Sequence, residues 1–474
     1  MKGRVKMELK GKRKPYLYEA ILSFSFLIFV MAISIAKFEA DPHVPMLIGT
    51  AFASIMATRF GYNWSEIEKG MFDGIYQALQ AVVILIVIGI LIGVWMESGV
   101  VPSMIYYGLG ILSPNIFLLA TLIICSVTSL ATGTSWGAAG TVGTALMGIA
   151  KGLGIPAPIA AGAIISGVYF GDKLSPLSDT TNLAPAISGT DVFTHIKFMF
   201  SSTSIVYVIT MILYLVIGLK YIGSATDMSS AVIIKDGLSS SFNISPLLLI
   251  PPLAVILTIA FKVPAIPGIS IGILLGVICG FIFQGSSLGS ILDSSYGGYV
   301  SQTNIEMIDE LLTAGGLEGM MYSVSLTIIA MMFGGIMEAT GQLQIIVDAI
   351  LSKVRSATGL ITMTVLTCIF SNVTMPEQYI SIVVPGRMYA DAYRKMDLHP
   401  KTLSNALESS GTLTSALIPW NTCGVFMSGV LGVSTLQYRK WAFFNYLMPL
   451  AAIILSVVGG ITVAKIKDDP ETVT

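Results

Sequence analysis

GDKLSPLSDTTN, residues 171–182, interrupts a run of small and apolar residues that opens AAGAIISGVYF at position 160. An ionisable group held away from water is costly, so a polar island inside an apolar span is a functional hypothesis by default. Asp172 and Asp179 stand seven positions apart, two helical turns, and would share a face of a continuous helix. Pro176 argues against continuity, because its ring removes a backbone donor and clashes with the preceding turn. A broken helix leaves free carbonyls at one end and free amides at the other. Those carbonyls join the carboxylate of Asp179 and the side-chain oxygens of Ser175, Ser178, Thr180, Thr181 and Asn182. Together they are hard oxygen donors, which suit a hard cation. The competing reading is an aqueous loop between two short spans.

The rest of the chain supports the membrane reading. Of 474 residues 54% are hydrophobic and 11% charged, against about 25% charged in soluble proteins. A surface so short of charge faces lipid. The net charge of -1 gives no general case for nucleic acid. The 47 glycines and 20 prolines suit membrane helices that pack closely, break or re-enter. Cys125, Cys279, Cys368 and Cys423 each lie in apolar segments without a CxxC pair, and read as small buried hydrophobes. Residues 2–14 are strongly basic, but no small-residue cleavage site follows the next apolar segment, so no cleavable leader is expected.

A helical crossing takes about 20 mostly apolar residues. Crossings are expected near 17–36, 44–58, 74–97, 157–190 and 198–220, and again near 244–261, 268–284, 320–341, 403–432 and 441–464. Apolar stretches 115–150 and 360–390 have polar midpoints and read as re-entrant hairpins. Cytoplasmic loops collect Lys and Arg. Lys2, Arg4, Lys6, Lys10, Lys12, Arg13 and Lys14 therefore place the N-terminal tail inside, and Lys353, Arg355, Arg394, Lys395, Lys401, Lys465 and Lys467 fall inside with it. The 285–319 loop has no Lys or Arg but carries Asp293, Glu306, Asp309, Glu310 and Glu318, and falls outside. Both termini come out cytoplasmic.

The two sets resemble each other at an offset of 243 positions, which pairs Cys125 with Cys368, Ser166 with Ser409, Pro176 with Pro419, Gly189 with Gly432 and Lys197 with Lys440. An ungapped match over roughly 75 residues that aligns Pro, Lys and Gly is hard to obtain from shared hydrophobicity alone. The expected architecture is an all-α polytopic membrane protein made of two repeats. Each has about five transmembrane helices plus a re-entrant hairpin, with helices broken at the midplane. Its parts are a basic tail (1–16), repeat one (17–221), a linker (222–243), repeat two (244–465) and a short tail (466–474). An odd number of crossings turns the second repeat upside down, and inverted repeats with broken helices are a common build of secondary transporters.

The second copy of the motif, SSGTLTSALIPWNTCG at 409–424, breaks at Pro419, with Asn421 and Thr422 where the first copy has Ser178 and Asp179. One charged cation site follows, with the second copy serving hydrogen bonding or another ligand; backbone satisfaction at a kink is the alternative for Asn421 and Thr422. The hairpin tips hold Ser135 and Trp136 in one case, and Asn372, Thr374, Glu377 and Gln378 in the other. Glu377 after Pro376 fits a helix N-terminus or an ion site equally well. Glu97 and Glu338, at matched span ends, read as proton carriers or as interfacial carboxylates. His43, His195 and His399 lack metal-like spacing, so no transition-metal site is expected. No Walker motif and no Ser-His-Asp or Cys-His set points to ATP use or to an enzyme.

GDKLSPLSDTTNLAPAISGTDVFTHIKFM (171–199) and IPWNTCGVFMSGVLGVSTLQY (418–438) resemble the signatures of the NhaC-type sodium/proton antiporter family. The resemblance implies sodium-for-proton exchange in a bacterial cytoplasmic membrane by an elevator-like shift, with sodium as the coupling ion and no cofactor. A homodimer is the expected assembly. By motif, sodium falls to Asp179, Ser175, Ser178, Thr180, Asn421 and Thr422. A carboxylate that binds sodium and protons in turn couples them, and Asp172 and Glu377 are the candidates. One branch of the family resembles malate–lactate antiporters, which exchange proton-coupled malate for sodium-coupled lactate. For a carboxylate cargo, Lys173, Arg387 or the polar groups of Ser135, Asn372, Thr374, Gln378, Asn421 and Thr422 are available.

Overall fold

A computed structural model describes residues 12–38, 40–220, 228–261, 263–303, 308–309, 312–313, 315–351, 356–458 and 461–466. Most of the basic tail, the start of the expected linker, Glu306, Glu310, Lys353, Arg355, Lys467 and the C-terminal tail beyond 466 lie outside the described residues. The chain opens with α1 (Leu17–Phe38), α2 (His43–Arg59), α3 (Trp64–Glu97), α4 (Val100–Ile111) and α5 (Pro114–Thr132). The short α6 (Ser135–Ala138) widens into a π-turn before α7 (Thr144–Gly152). Next come α8 (Ala157–Leu174), α9 (Asp179–Ser188), α10 (Val192–Leu219), α11 (Met228–Ser241), α12 (Ile250–Ala260), α13 (Ala265–Cys279) and α14 (Leu288–Gly297). The remainder is α15 (Gly316–Ala339), α16 (Gln342–Leu351), α17 (Ala357–Thr374), α18 (Ile380–Lys395), α19 (Pro400–Leu407), α20 (Leu413–Ser415), α21 (Thr422–Leu431), α22 (Thr435–Tyr438) and α23 (Phe443–Val458).

Seven of the described helices are long and apolar enough to cross a bilayer, or eight if the bent pair Val232–Ser241 and Pro246–Thr258 counts as one span. Ten crossings were expected. The difference has a structural cause: 157–190 and 403–432 are split into pieces, while 44–58 and 441–464 hold helices of only 17 and 16 residues. Conversely, α5 and α17, expected as hairpin arms, are themselves long enough to span. Two stretches expected to be irregular are helical: α11 lies in the linker and α14 in the 285–319 loop.

The lipid-facing character shows in what is left exposed rather than in the core, which is mostly apolar. On α10, Ser202, Thr203, Thr210 and Tyr214 are buried while Val208, Ile209, Ile212 and Val216 face outward. With lipid outside there is no hydrophobic drive between helices, so close backbone approach takes over. The most extensive packing is α3 against α15, followed by α5 against α8. Glycines permit both: a Cβ on Gly335 would strike the Gly70 carbonyl oxygen, and one on Gly171 would strike that of Ser126.

Helix bounds recur at the offset seen in the sequence. α9 (Asp179–Ser188) and α21 (Thr422–Leu431) are 243 apart at both ends, and α5 and α17 start 243 apart, as do α8 and α19. Gly189 and Gly432, the matched pair, end α9 and α21 with φ of 90° and 66°, a left-handed cap that suits glycine. The same shift puts α13 and α14 in register with α1 and α2. α11 and α12 have no counterpart at this shift and fall between the two sets.

Candidate functional site

Three helix breaks meet at one open cavity of about 590 Å³. The first lies between α5 and α6, where Gly133 turns the chain with φ of 70° and Thr134 caps α6 by accepting from the Gly137 amide. The second is Ser175–Ser178, between α8 and α9, with Ser178 capping α9 by accepting from the Thr181 amide. The third is Met375–Tyr379, ahead of α18. Gln77, Gln80, Ala81 and Ile84 of α3 close one wall, and Val263, Pro264 and Ile269 add an apolar edge.

Of the expected site residues, the lining contains Ser135, Asp172, Ser178, Asp179, Thr180, Glu377 and Gln378. Asp172 is the inner acid, only 5% exposed, and Ser135 Oγ donates to its Oδ2 at 2.7 Å. Asp179 opens α9 at the cavity mouth, exposed, with the Tyr379 hydroxyl donating to it at 3.5 Å. Glu377 is buried and accepts from the Ile380 amide at 3.0 Å, so it caps the start of α18 while also facing the cavity. Gln378 Oε1 accepts from the Cys423 thiol at 2.6 Å.

The other candidates lie off the lining, and all but the Thr422 hydroxyl, which has no hydrogen-bond partner among the described residues, are spent on structure. Ser175 Oγ donates to the Leu130 carbonyl at 2.8 Å, and Thr374 Oγ1 to that of Phe370 at 2.9 Å. Asn372 donates to the Gly411 carbonyl at 2.7 Å and accepts from Asn421 at 3.0 Å. Asn421 also caps α21, accepting from the Cys423 amide at 3.1 Å, and the Thr422 amide donates to the Pro376 carbonyl at 2.9 Å. These bonds lock the break at Pro419 against the break at Pro376. Glu97 accepts from Ser294, and Glu338, which is exposed, from Gln77. His195, in the first turn of α10, is fully buried and bonded to Ser404. Among the described residues no group of three His, Cys, Asp or Glu could hold a metal ion. Arg387 is exposed, and Lys173, fully buried, does not reach the lining.

Sequence reasoning missed Glu408, which is fully buried and accepts from the Thr180 hydroxyl at 3.1 Å. The signal was available, since Glu408 is an acid inside an apolar span. Its repeat mate is Ile165, so a comparison of the two copies passes over it. Cys423, read as a plain buried hydrophobe, in fact lines the cavity.

The profile of the Na+/H+ antiporter family matches residues 167–460. Among curated proteins, the malate-2H+/Na+-lactate antiporter of Bacillus subtilis is 39% identical over 95% of this chain and 96% of its own length. The Na+/H+ antiporter NhaC of Alkalihalophilus pseudofirmus is 38% identical over 93% of this chain and 96% of its own length. The arginine/ornithine antiporter ArcD of Halobacterium salinarum is 37% identical over 94% and 93% respectively.

Proposed function

Because the chain belongs to the Na+/H+ antiporter family, we propose that it is a multi-pass membrane transporter exchanging sodium for protons, with sodium held at Asp172. One observation carries this reading. The cavity presents Asp172, Asp179 and Glu377 but no Lys or Arg among its described lining residues. Such a cavity attracts cations and repels a bare anion. Asp172 supplies a carboxylate out of bulk water, Ser135 orients it, and Ser178 and Thr180 stand near with hard oxygens. Asp179, at the mouth, draws cations inward rather than holding them. This reassigns the inner sodium ligand from Asp179 to Asp172. Ser175, Asn421 and Thr422 serve the site by fixing the breaks.

The matched helix bounds support two inverted repeats, each offering a break at similar depth, with the arms around Gly133 and Met375 acting as re-entrant tips. The connecting unit is then residues 228–260 rather than 222–243. Both termini lie on the cytoplasmic side of a bacterial inner membrane, on the Lys and Arg distribution.

A second reading, exchange of small carboxylates accompanied by sodium or protons, is favoured by cavity size. The volume of about 590 Å³ falls in the range of roughly 300–1,000 Å³ usual for small-molecule sites. Proteoliposomes with opposed sodium and pH gradients, with and without malate, lactate, arginine or ornithine, separate the readings. Sodium-driven proton movement without any organic solute supports the first. Movement only when an organic solute is present supports the second.

A further inference from the structure

Glu97 and Glu338 lie in two matched segments, Met96-Glu97-Ser98-Gly99 and Met337-Glu338-Ala339-Thr340-Gly341, at the ends of α3 and α15. The two helices run antiparallel. A Cβ on Gly70 would meet Ala339 and Gly335, whereas one on Gly89 or Gly93 would meet Gly316. The end of α15 therefore lies beside the start of α3, and the end of α3 beside the start of α15. α15 has 24 residues, about 36 Å at 1.5 Å per residue. A hydrocarbon layer is about 30 Å thick, so the two acids stand near opposite membrane faces.

Neither acid is balanced by a cation: among the described residues no ion pair joins a Lys or Arg to either. Neutral donors orient them instead. Gln77 Nε2 donates to Glu338 Oε2 at 3.3 Å, and Ser294 Oγ to Glu97 Oε2 at 3.2 Å. Near Glu338, Lys69 and Asp73 stand one turn apart on α3 and offset each other. Near Glu97, the 285–319 segment contributes acids and no Lys or Arg. Glu338 is also joined to the pocket. Gln77, Gln80 and Ile84 fall three or four apart on one face of α3, and all three line the cavity. Gln77 thus faces the cavity and holds Glu338 at once. Glu97 lies off the lining, so the pocket reaches the Glu338 end of the pair and not the Glu97 end.

We propose that Glu338 and Glu97 are entrance carboxylates, one for each membrane face, and that each draws sodium toward the pocket while the pocket is open to its side. A negative charge at the rim of a cleft raises the local concentration of cations and so their on-rate. Neither acid holds the ion at rest; that falls to Asp172, deeper in. An exchanger must load from both sides of the membrane, and a helix matched by an antiparallel copy puts the same acid at both. In this conformation Glu338 serves the open mouth, with Gln77 as the positioning residue that keeps its carboxylate beside the lining. When the pocket turns to the other face, Glu97 takes over and Glu338 is idle.

The inference rests on sodium–proton exchange, and its test is separable from that reading. Sodium-driven proton movement is measured in right-side-out and in everted membrane vesicles carrying the full-length protein. Ionic strength is held near 0.01 M, where the screening length is about 30 Å. Glu338→Gln keeps an acceptor for Gln77 and removes only the charge. It should raise the half-saturating sodium concentration roughly three- to tenfold when sodium is added at one face, and leave the maximal rate and the other face unchanged. Glu97→Gln should do the same at the opposite face alone, and Glu338→Asp should stay near the wild type. Near 0.1 M salt, where the screening length is about 10 Å, both effects should largely vanish. Wild-type sodium dependence in Glu338→Gln at both faces overturns the proposal, as does an effect of both variants at the same face. An equal rise at both faces would mark a structural role, and a rise that survives high salt a direct ligand; either overturns it too. Wild-type vesicles that move no protons with sodium would refute the exchange reading itself, whereas normal exchange with unaltered variants refutes only the entrance role.

Discussion

Ser135→Ala deletes one hydrogen bond to the inner acid, and its effect can be scaled from the geometry. The bond is 2.7 Å, and Ser135 and Asp172 are 3% and 5% exposed. Hydrogen bonds to charged groups contribute about 1.5–3 kcal/mol. Both residues line the cavity, so water can partly replace the lost hydroxyl, and the lower half of that range applies. At about 1.4 kcal/mol per tenfold, sodium affinity should fall roughly 10- to 40-fold. The maximal rate should change much less, because no helix contact is lost. Everted vesicles carrying a pH-sensitive dye, titrated with sodium at constant pH, give both parameters. An affinity within twofold of the wild type would refute Asp172 as the inner sodium ligand. A Ser135→Thr variant, which keeps the hydroxyl, should retain more affinity than alanine.

Other outcomes follow from the same geometry. Asp179→Asn should weaken sodium uptake several-fold at low ionic strength and lose that effect near 0.1 M salt, where the screening length is about 10 Å; an equal loss at high salt would make Asp179 a direct ligand. Gly335→Ala forces a Cβ onto the Gly70 carbonyl, and overpacking costs about 1–3 kcal/mol. Its melting temperature in detergent should fall by several degrees, with sodium affinity kept in the folded fraction. For topology, Ser301 is a poor reporter, being 6% exposed with its hydroxyl bonded to Asp309. Gln302→Cys should instead react with an impermeant thiol reagent on intact cells, and Arg394→Cys should not. Both belong on a Cys423→Ser background, since Cys423 lines the cavity. Labelling of both from the same side would contradict the orientation of α15.

What the sequence disclosed were the places where polarity interrupts lipid-facing chain. Asp172, Ser178 and Thr180, which line the cavity, were legible as candidates because polar groups inside an apolar span are costly. The breaks at Pro176, Pro376 and Pro419 were legible because proline cannot continue a helix. Side-chain direction at a break was not, because helical periodicity stops there. Ser175 and Ser178 look equivalent in the sequence, yet one is turned into α5 and the other lines the cavity. Asn372 and Asn421 likewise look like ligands but clasp each other.

The bent pair between the two sets of helices is folded through 100° at its break, which bears on the inversion proposed for the second set. An odd-spanning ancestor acting as a separate chain would have to insert both ways up for two copies to meet antiparallel. Joined through a connector that enters and leaves on one face, two such copies would be held antiparallel by a single translation product. A connector that crossed once would instead set them side by side, with both broken helices opening to the same compartment. On the inverted-repeat proposal, α11 and α12, which line no part of the cavity, would thereby decide whether one pocket can face either side of the membrane in turn.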